Sequence, residues 1–200
     1  MSSAELTSAP AEWKLPSQRK VGMICLITTE SALFSIFVVA YLFYLGKNLN
    51  GPYPHEVLHF PWWGSAALFG SSATVMFAEK AMHLRKWGHF FFWWAFTMAL
   101  GAYFIYFTAA EWVHLIYHED LTVQTNVFGS TFYALVGLHA SHVIIGLVLL
   151  GIVFIAGLRG KIHPDHFEHV EMVSWYWHFV DAIWVVVLLV VYIIGVQTWS

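Results

Sequence analysis

Five long apolar segments alternate with short polar connections along the chain. The segments cover residues 21–45, 62–84, 89–112, 127–157 and 174–196. Each is long enough to cross a bilayer as a helix, because about 20 apolar residues span a hydrocarbon core of about 30 Å. All six prolines and most charged residues lie outside these segments. The pattern predicts an all-α integral membrane protein, with a polar segment at residues 1–20 and a single five-transmembrane-helix bundle at residues 21–200.

The composition supports this class and excludes others. Hydrophobic residues make up 59% of the chain and charged residues only 10%, whereas soluble domains carry about 25% charged residues. The net charge of −3 and the scattered basic residues argue against a nucleic-acid partner. The polar N-terminal segment has no pattern of a cleaved signal, so the first span is expected to act as its own insertion signal.

The basic residues predict the direction of the spans. Eight of the nine Lys and Arg residues lie near the N-terminus, around the second-to-third connection or in the last connection. Only Lys47 falls in a connection on the other side. Because short cytoplasmic connections retain Lys and Arg, the N-terminus is predicted to be cytoplasmic and the C-terminus periplasmic or otherwise outside.

Several ionisable side chains fall inside the predicted spans, where a charge costs about 2.5–3.5 kcal/mol at the helix centre and needs a protein partner. With a rise of about 1.5 Å per residue, five of them reach a similar depth near the inner face. These five are predicted to form one buried polar network: Glu30, His139, His142, His178 and Asp181. Acid–imidazole pairing is expected, with Glu30 bonded to His139 or His142.

The histidines also raise metal and haem hypotheses. Imidazole and carboxylate ligands suit iron, copper and zinc, so His139 and His142 with Glu30 are one candidate set. Hydrogen-bonded core histidines are nevertheless favoured there, because buried polar side chains need partners whether or not a metal is present. A haem held by His142 and His178 ranks lower, since Trp, Tyr and Phe crowd His178.

Two further hypotheses concern polar residues outside the inner layer. His163, His166 and His169 recur at a spacing of three in the last connection, where a solvated, pH-responsive loop is favoured over a surface metal site. Intramembrane carboxylates and imidazoles also mark proton relays. A complete channel is disfavoured, because the inner layer lies near one face and Glu111 at the far end is isolated.

Several sequence motifs resemble subunit III of haem–copper terminal oxidases, the cytochrome c oxidase subunit 3 family. The run from Trp175 to Asp181 followed by Trp184 is similar to the family's final-helix motif, and residues 129–133 and 137–146 resemble its preceding helix. Residues 22–24 leading to Glu30, and residues 100–104 leading to Glu111, match in the same order. The resemblance covers all five predicted spans.

The resemblance implies the five-helix bacterial form of a non-catalytic accessory subunit. Such a subunit packs on catalytic subunit I of a proton-pumping cytochrome c oxidase, supports proton uptake and protects the oxidase during turnover in aerobic respiration. Haem and copper are expected in partner subunits and none in this chain, with phospholipid as a further ligand and the bacterial inner membrane as the location. No catalytic, cofactor-binding or metal-binding residue is implied. Glu111, Glu171 and Trp177 are implied as further polar residues of the family motifs.

The sequence departs from the family pattern in places, which keeps alternatives open. Glu79 and Lys80 stand where many members carry histidines, and the stretch after Glu111 is unusually rich in histidine. Subunit III of quinol oxidases and a homologue associated with nitric oxide reductase are similar in size. Glu30, where quinol forms tend to carry Asp, favours the cytochrome c type. A self-contained membrane metal or haem enzyme ranks last.

Overall fold

The computed structural model describes residues 17–48, 51–160, 162 and 167–197, and the regular structure of these residues is helical. The elements are α1 (Gln18–Tyr44), α2 (Pro54–Val57), α3 (Trp62–His83), α4 (Trp87–His118), α5 (Val127–Leu158) and α6 (Phe167–Val187). After α6 the chain continues as a π-helical segment (Leu188–Ile194) and a last turn, α7 (Gly195–Gln197). The all-α class predicted from the sequence is confirmed.

Four of the described helices are long and apolar enough to cross a membrane: α1, α4, α5 and the continuous helix Phe167–Gln197. These four confirm a multi-pass membrane protein. The helix α3 has 22 residues but is less apolar, because serines and the pair Glu79-Lys80 interrupt its hydrophobic sequence.

Two helices extend beyond the spans that hydropathy predicts. The third span was predicted to end at residue 112, whereas α4 continues to His118; the last was predicted to begin at residue 174, whereas α6 begins at Phe167. The first extension carries His114 and His118, and the second carries His169 with Glu168 and Glu171. Hydropathy marks only the apolar part of a helix, whereas the backbone hydrogen bonds continue where polar side chains meet water.

The described helices pack around α6, which contacts α1, α3 and α5, while α4 packs against α3 and α5. At one end, Glu168 lies 3.5 Å from Arg19, and Glu171 lies 3.4 Å from His83. These contacts place the start of α1, the end of α3 and the start of α6 together, and we call this the basic end. At the opposite end, the backbone N–H of Phe128 donates to Oδ1 of Asn48 at 3.0 Å.

Candidate functional site

Glu30 and His142 connect α1 to α5. Nε2 of His142 lies 3.0 Å from Oε2 of Glu30. Nδ1 of His142 donates to the carbonyl oxygen of Leu138 at 2.8 Å, since a carbonyl oxygen only accepts. The hydrogen bond between Nε2 and Oε2 therefore needs one proton, carried either by the imidazole as an imidazolium or by the carboxyl group. In either form, this hydrogen bond connects the two helices.

His178 and Asp181 connect α6 to α3 through Ser72. The Ser72 hydroxyl donates to Oδ2 of Asp181, and Nδ1 of His178 lies 3.1 Å from the same hydroxyl oxygen. Because a hydroxyl has one proton to give, His178 donates to Ser72 through Nδ1. Asp181 is buried, where a carboxyl group without a partner is costly. This chain of hydrogen bonds gives its Oδ2 a partner, whereas its Oδ1 has none among the described residues.

His139 joins neither of these groups. Its ring stacks on Trp184 with the ring centroids 4.9 Å apart, and Phe104 meets it edge-on at 5.7 Å. Neither ring nitrogen has a hydrogen-bond partner among the described residues. His139 and His142 are three residues apart and so differ by about 60° around α5. That rotation turns His142 towards α1 and His139 towards the aromatic side chains of α4 and α6.

Depth along the helices predicted one connected network of these polar residues, and the structure does not show one. In the described part of the chain they form two separate hydrogen-bonded groups and one stacked histidine. Of the two partners expected for Glu30, the structure selects His142. Equal depth brings residues to one level of the bundle, but the rotation of each helix decides which of them meet.

Trp177 fills the space where α6 meets its neighbours. It is fully buried, and its indole Nε1 donates to Oγ of Ser71 on α3 at 2.8 Å. A Cβ atom added at Gly101 on α4 would lie 2.6 Å from this indole, and one added at Gly146 on α5 would lie 2.8 Å from it. Only glycine leaves room for the ring at these two positions, so Trp177 brings α3, α4, α5 and α6 together.

The serines of α3 form hydrogen bonds to α6 that were not predicted from the sequence. Ser71 accepts from Trp177, Ser72 bonds His178 and Asp181, and Ser65 accepts from Nε1 of Trp184 at 3.0 Å. Residues 65 and 72 are seven apart and lie on one face of a helix. This spacing was an available signal, since serines at helical spacing inside a span commonly bond across to a neighbouring helix.

The remaining predicted residues lie towards the two ends of the bundle. Glu171 at the basic end lies 3.7 Å from Nζ of Lys20 and also contacts His83, so it connects α6 to α1 and α3. Glu111 accepts a hydrogen bond from the hydroxyl of Tyr192 at 3.2 Å, which connects α4 to the π-helical segment. Both carboxyl groups thus take part in contacts between helices.

The described residues do not form the metal sites that the sequence suggested. Within the described ranges, no group of three or more His, Cys, Asp and Glu side chains is arranged to hold a metal ion. His163 and His166 lie outside the described residues, so the structure says nothing about the triplet that they form with His169.

The matching family model and similar relatives all point to the same family. The family model for cytochrome c oxidase subunit III matches residues 15–196. Cytochrome c oxidase subunit 3 of Alkalihalophilus pseudofirmus is 30% identical over 194 residues, covering 96% of this chain and 94% of the relative. The subunit 3 of Corynebacterium diphtheriae is 29% identical over 191 residues, covering 90% and 89%, respectively. A probable cytochrome c oxidase subunit 3 of Rickettsia prowazekii is 29% identical, covering 88% of this chain and 68% of the relative. The resemblance read from the motifs is confirmed, and the chain belongs to the cytochrome c oxidase subunit III family.

Proposed function

We propose that this chain is the non-catalytic accessory subunit III of a proton-pumping cytochrome c oxidase in a bacterial inner membrane. The family match across residues 15–196 carries this proposal. The helix contacts support it, since the membrane-embedded side chains of Glu30, His142, His178 and Asp181 bond to neighbouring helices. The chain would pack on catalytic subunit I, with haem and copper in partner subunits and phospholipid as a further ligand.

We also propose that the chain has five membrane spans: the four helices named above and α3, which comes second among them along the chain. Two contacts support a crossing by α3. The short helix α2, just before α3, contacts α7, and His83 at the end of α3 contacts Glu171 at the basic end. A helix of 22 residues is about 33 Å long, which is enough to cross the hydrocarbon core. The basic end would face the cytoplasm, because it gathers Arg19, Lys20 and Arg85.

Thiol labelling tests this topology. With Cys25 replaced by Ser, a membrane-impermeant maleimide added to intact spheroplasts should label Gln124→Cys, which lies in an exposed stretch between α4 and α5. It should label Leu84→Cys, between α3 and α4, only after lysis. The reverse pattern would contradict the proposed orientation.

The Glu30–His142 pair is proposed to support proton uptake as a store of one proton. Glu30→Gln keeps a side chain that hydrogen-bonds His142 but removes the group that releases a proton. We expect the oxidase to assemble normally, with a modest decrease in proton uptake at high pH, measured by stopped-flow absorbance of a pH indicator. Ser35→Ala is the matched control on α1, because among the described residues Oγ of Ser35 bonds only the backbone oxygen of Ser31.

A different result would change the role of Glu30. If the Glu30→Gln oxidase assembled with its full haem content and yet reduced no oxygen, the carboxyl group would belong to the catalytic machinery. The accessory role proposed here would then be wrong.

Oxygen consumption with and without this subunit tests the function itself. We expect oxidase depleted of this chain to begin turnover at a normal rate and to lose activity sooner than the intact complex. Equal durability of the two preparations would argue against a protective role.

Two further assays test the type of oxidase and its lipid. Reduced cytochrome c and a quinol, supplied separately, distinguish the cytochrome c type from a quinol oxidase. A phosphorus assay on the purified complex tests for bound phospholipid.

A further inference from the structure

The end of α4 carries two histidines that the proposed function does not use. His114 and His118 lie one turn apart, their ring centroids are 5.0 Å apart and both side chains are exposed. Among the described residues, neither ring forms a hydrogen bond or an ion pair. They belong to the histidine-rich stretch that follows Glu111.

The spacing of these two rings matches that of two imidazoles on a single metal ion. Zinc–nitrogen bonds are about 2.0–2.1 Å long, and the centre of an imidazole ring lies about 1 Å beyond its nitrogen. Two imidazoles bound to one tetrahedral ion therefore have centroids about 5 Å apart. Histidines four residues apart on a helix supply two metal ligands from one face.

A third histidine lines the same cavity as His114. His59, Glu111 and His114 line one cavity of about 270 Å³ between α4 and the segment that precedes α3. Oε1 of Glu111 accepts from Tyr192, which leaves its other oxygen available, and the side chain of His59 is exposed. We propose that His114 and His118 bind a divalent transition metal ion of the zinc and copper class, with His59 as the third ligand after rotation of its side chain.

The sequence His55-Glu56-Val57-Leu58-His59 matches the zinc-protease pattern, but its backbone does not. That chemistry requires both histidines one turn apart on a helix, with the glutamate as general base. Here α2 ends at Val57, and Leu58 has an extended conformation with φ −92° and ψ 123°. His55 and His59 therefore do not share a helical face, and we assign His59 to the pair on α4. The proposed site binds a metal ion and performs no hydrolysis.

Zinc titration of the full chain tests the site. The chain is purified in detergent without a polyhistidine tag and titrated against a chromophoric zinc indicator. The parent should bind one more equivalent of zinc than the double variant His114→Gln/His118→Gln. His59→Gln should keep the stoichiometry and raise the Kd. Zinc bound elsewhere, including by the histidines of the last connection, is common to all the proteins and cancels in the comparison.

The control is His89→Gln, which removes an exposed histidine from the basic end of the same helix and should change neither stoichiometry nor Kd. Circular dichroism shows that each variant retains its helix content. Copper(II) provides a second readout, because its electron paramagnetic resonance spectrum reports bound imidazole nitrogens. Equal zinc stoichiometry in the parent and the double variant, or a copper spectrum that the double variant leaves unchanged, would overturn the proposal.

Discussion

Trp177→Ala is expected to lower the free energy of unfolding by about 3–5 kcal/mol, the range for truncating a buried aromatic side chain. The indole is fully buried between Gly101 and Gly146, and it donates to Ser71. Its removal leaves a cavity where four helices meet and an acceptor without its donor. Equilibrium unfolding in mixed detergent and SDS micelles, followed by circular dichroism, measures the loss.

Two comparisons identify the source of this effect. Trp177→Phe keeps much of the ring but lacks the N–H donor, so we expect a smaller loss than for alanine, including about 1 kcal/mol for the hydrogen bond. Trp63→Ala removes an indole that is 74% exposed and should cost little. An equal loss for Trp177→Ala and Trp63→Ala would show that the packing at Trp177 does not hold the bundle together.

Gly146→Ala is the second large effect, with an expected loss of about 1–3 kcal/mol. The new Cβ would lie 2.8 Å from Cε3 of Trp177. The indole has little freedom to move, because its other side faces Gly101 and its N–H is held by Ser71. Gly151→Ala on the same helix is the matched control, since the nearest described atom that its Cβ would meet is the flexible end of Met98 at 3.8 Å. The same unfolding measurement gives both values.

A double-mutant cycle assigns the clash to Trp177. Combined with Trp177→Ala, the Gly146→Ala change should cost much less than it costs alone, because the atom that it strikes is gone. Additive losses would mean that Gly146→Ala acts through helix propensity or through another neighbour.

The helices could be predicted from the sequence because apolar length is a local property. Residues 21–45 and 127–157 nearly coincide with α1 and α5. The end of α4 and the start of α6 were missed, because residues 113–118 and 167–173, which mix polar and apolar side chains, continue the helices beyond the apolar spans. Helix boundaries follow backbone hydrogen bonds, which a hydropathy pattern does not report.

The pairing of side chains was predictable only in part. Depth indicated that Glu30 meets a histidine of the fourth predicted span, but it could not separate His142 from His139. Their relative rotation of about 60° depends on how α5 is packed. The partner of Asp181 was also missed, since Ser72 carries no charge and so gave no depth-matched acid–base signal.

We propose that this chain is a subunit of a haem–copper oxidase and holds no redox centre itself. Affinity purification of the tagged chain from its native membrane in a mild detergent, followed by haem and copper analysis, tests it most directly. We predict that the intact complex shows haem absorbance, contains copper and oxidises reduced cytochrome c, and that the haem and copper remain with the other subunits when this chain is stripped away. A haem band that stays with the isolated chain, or purification of the native chain without any oxidase subunit, would contradict the account.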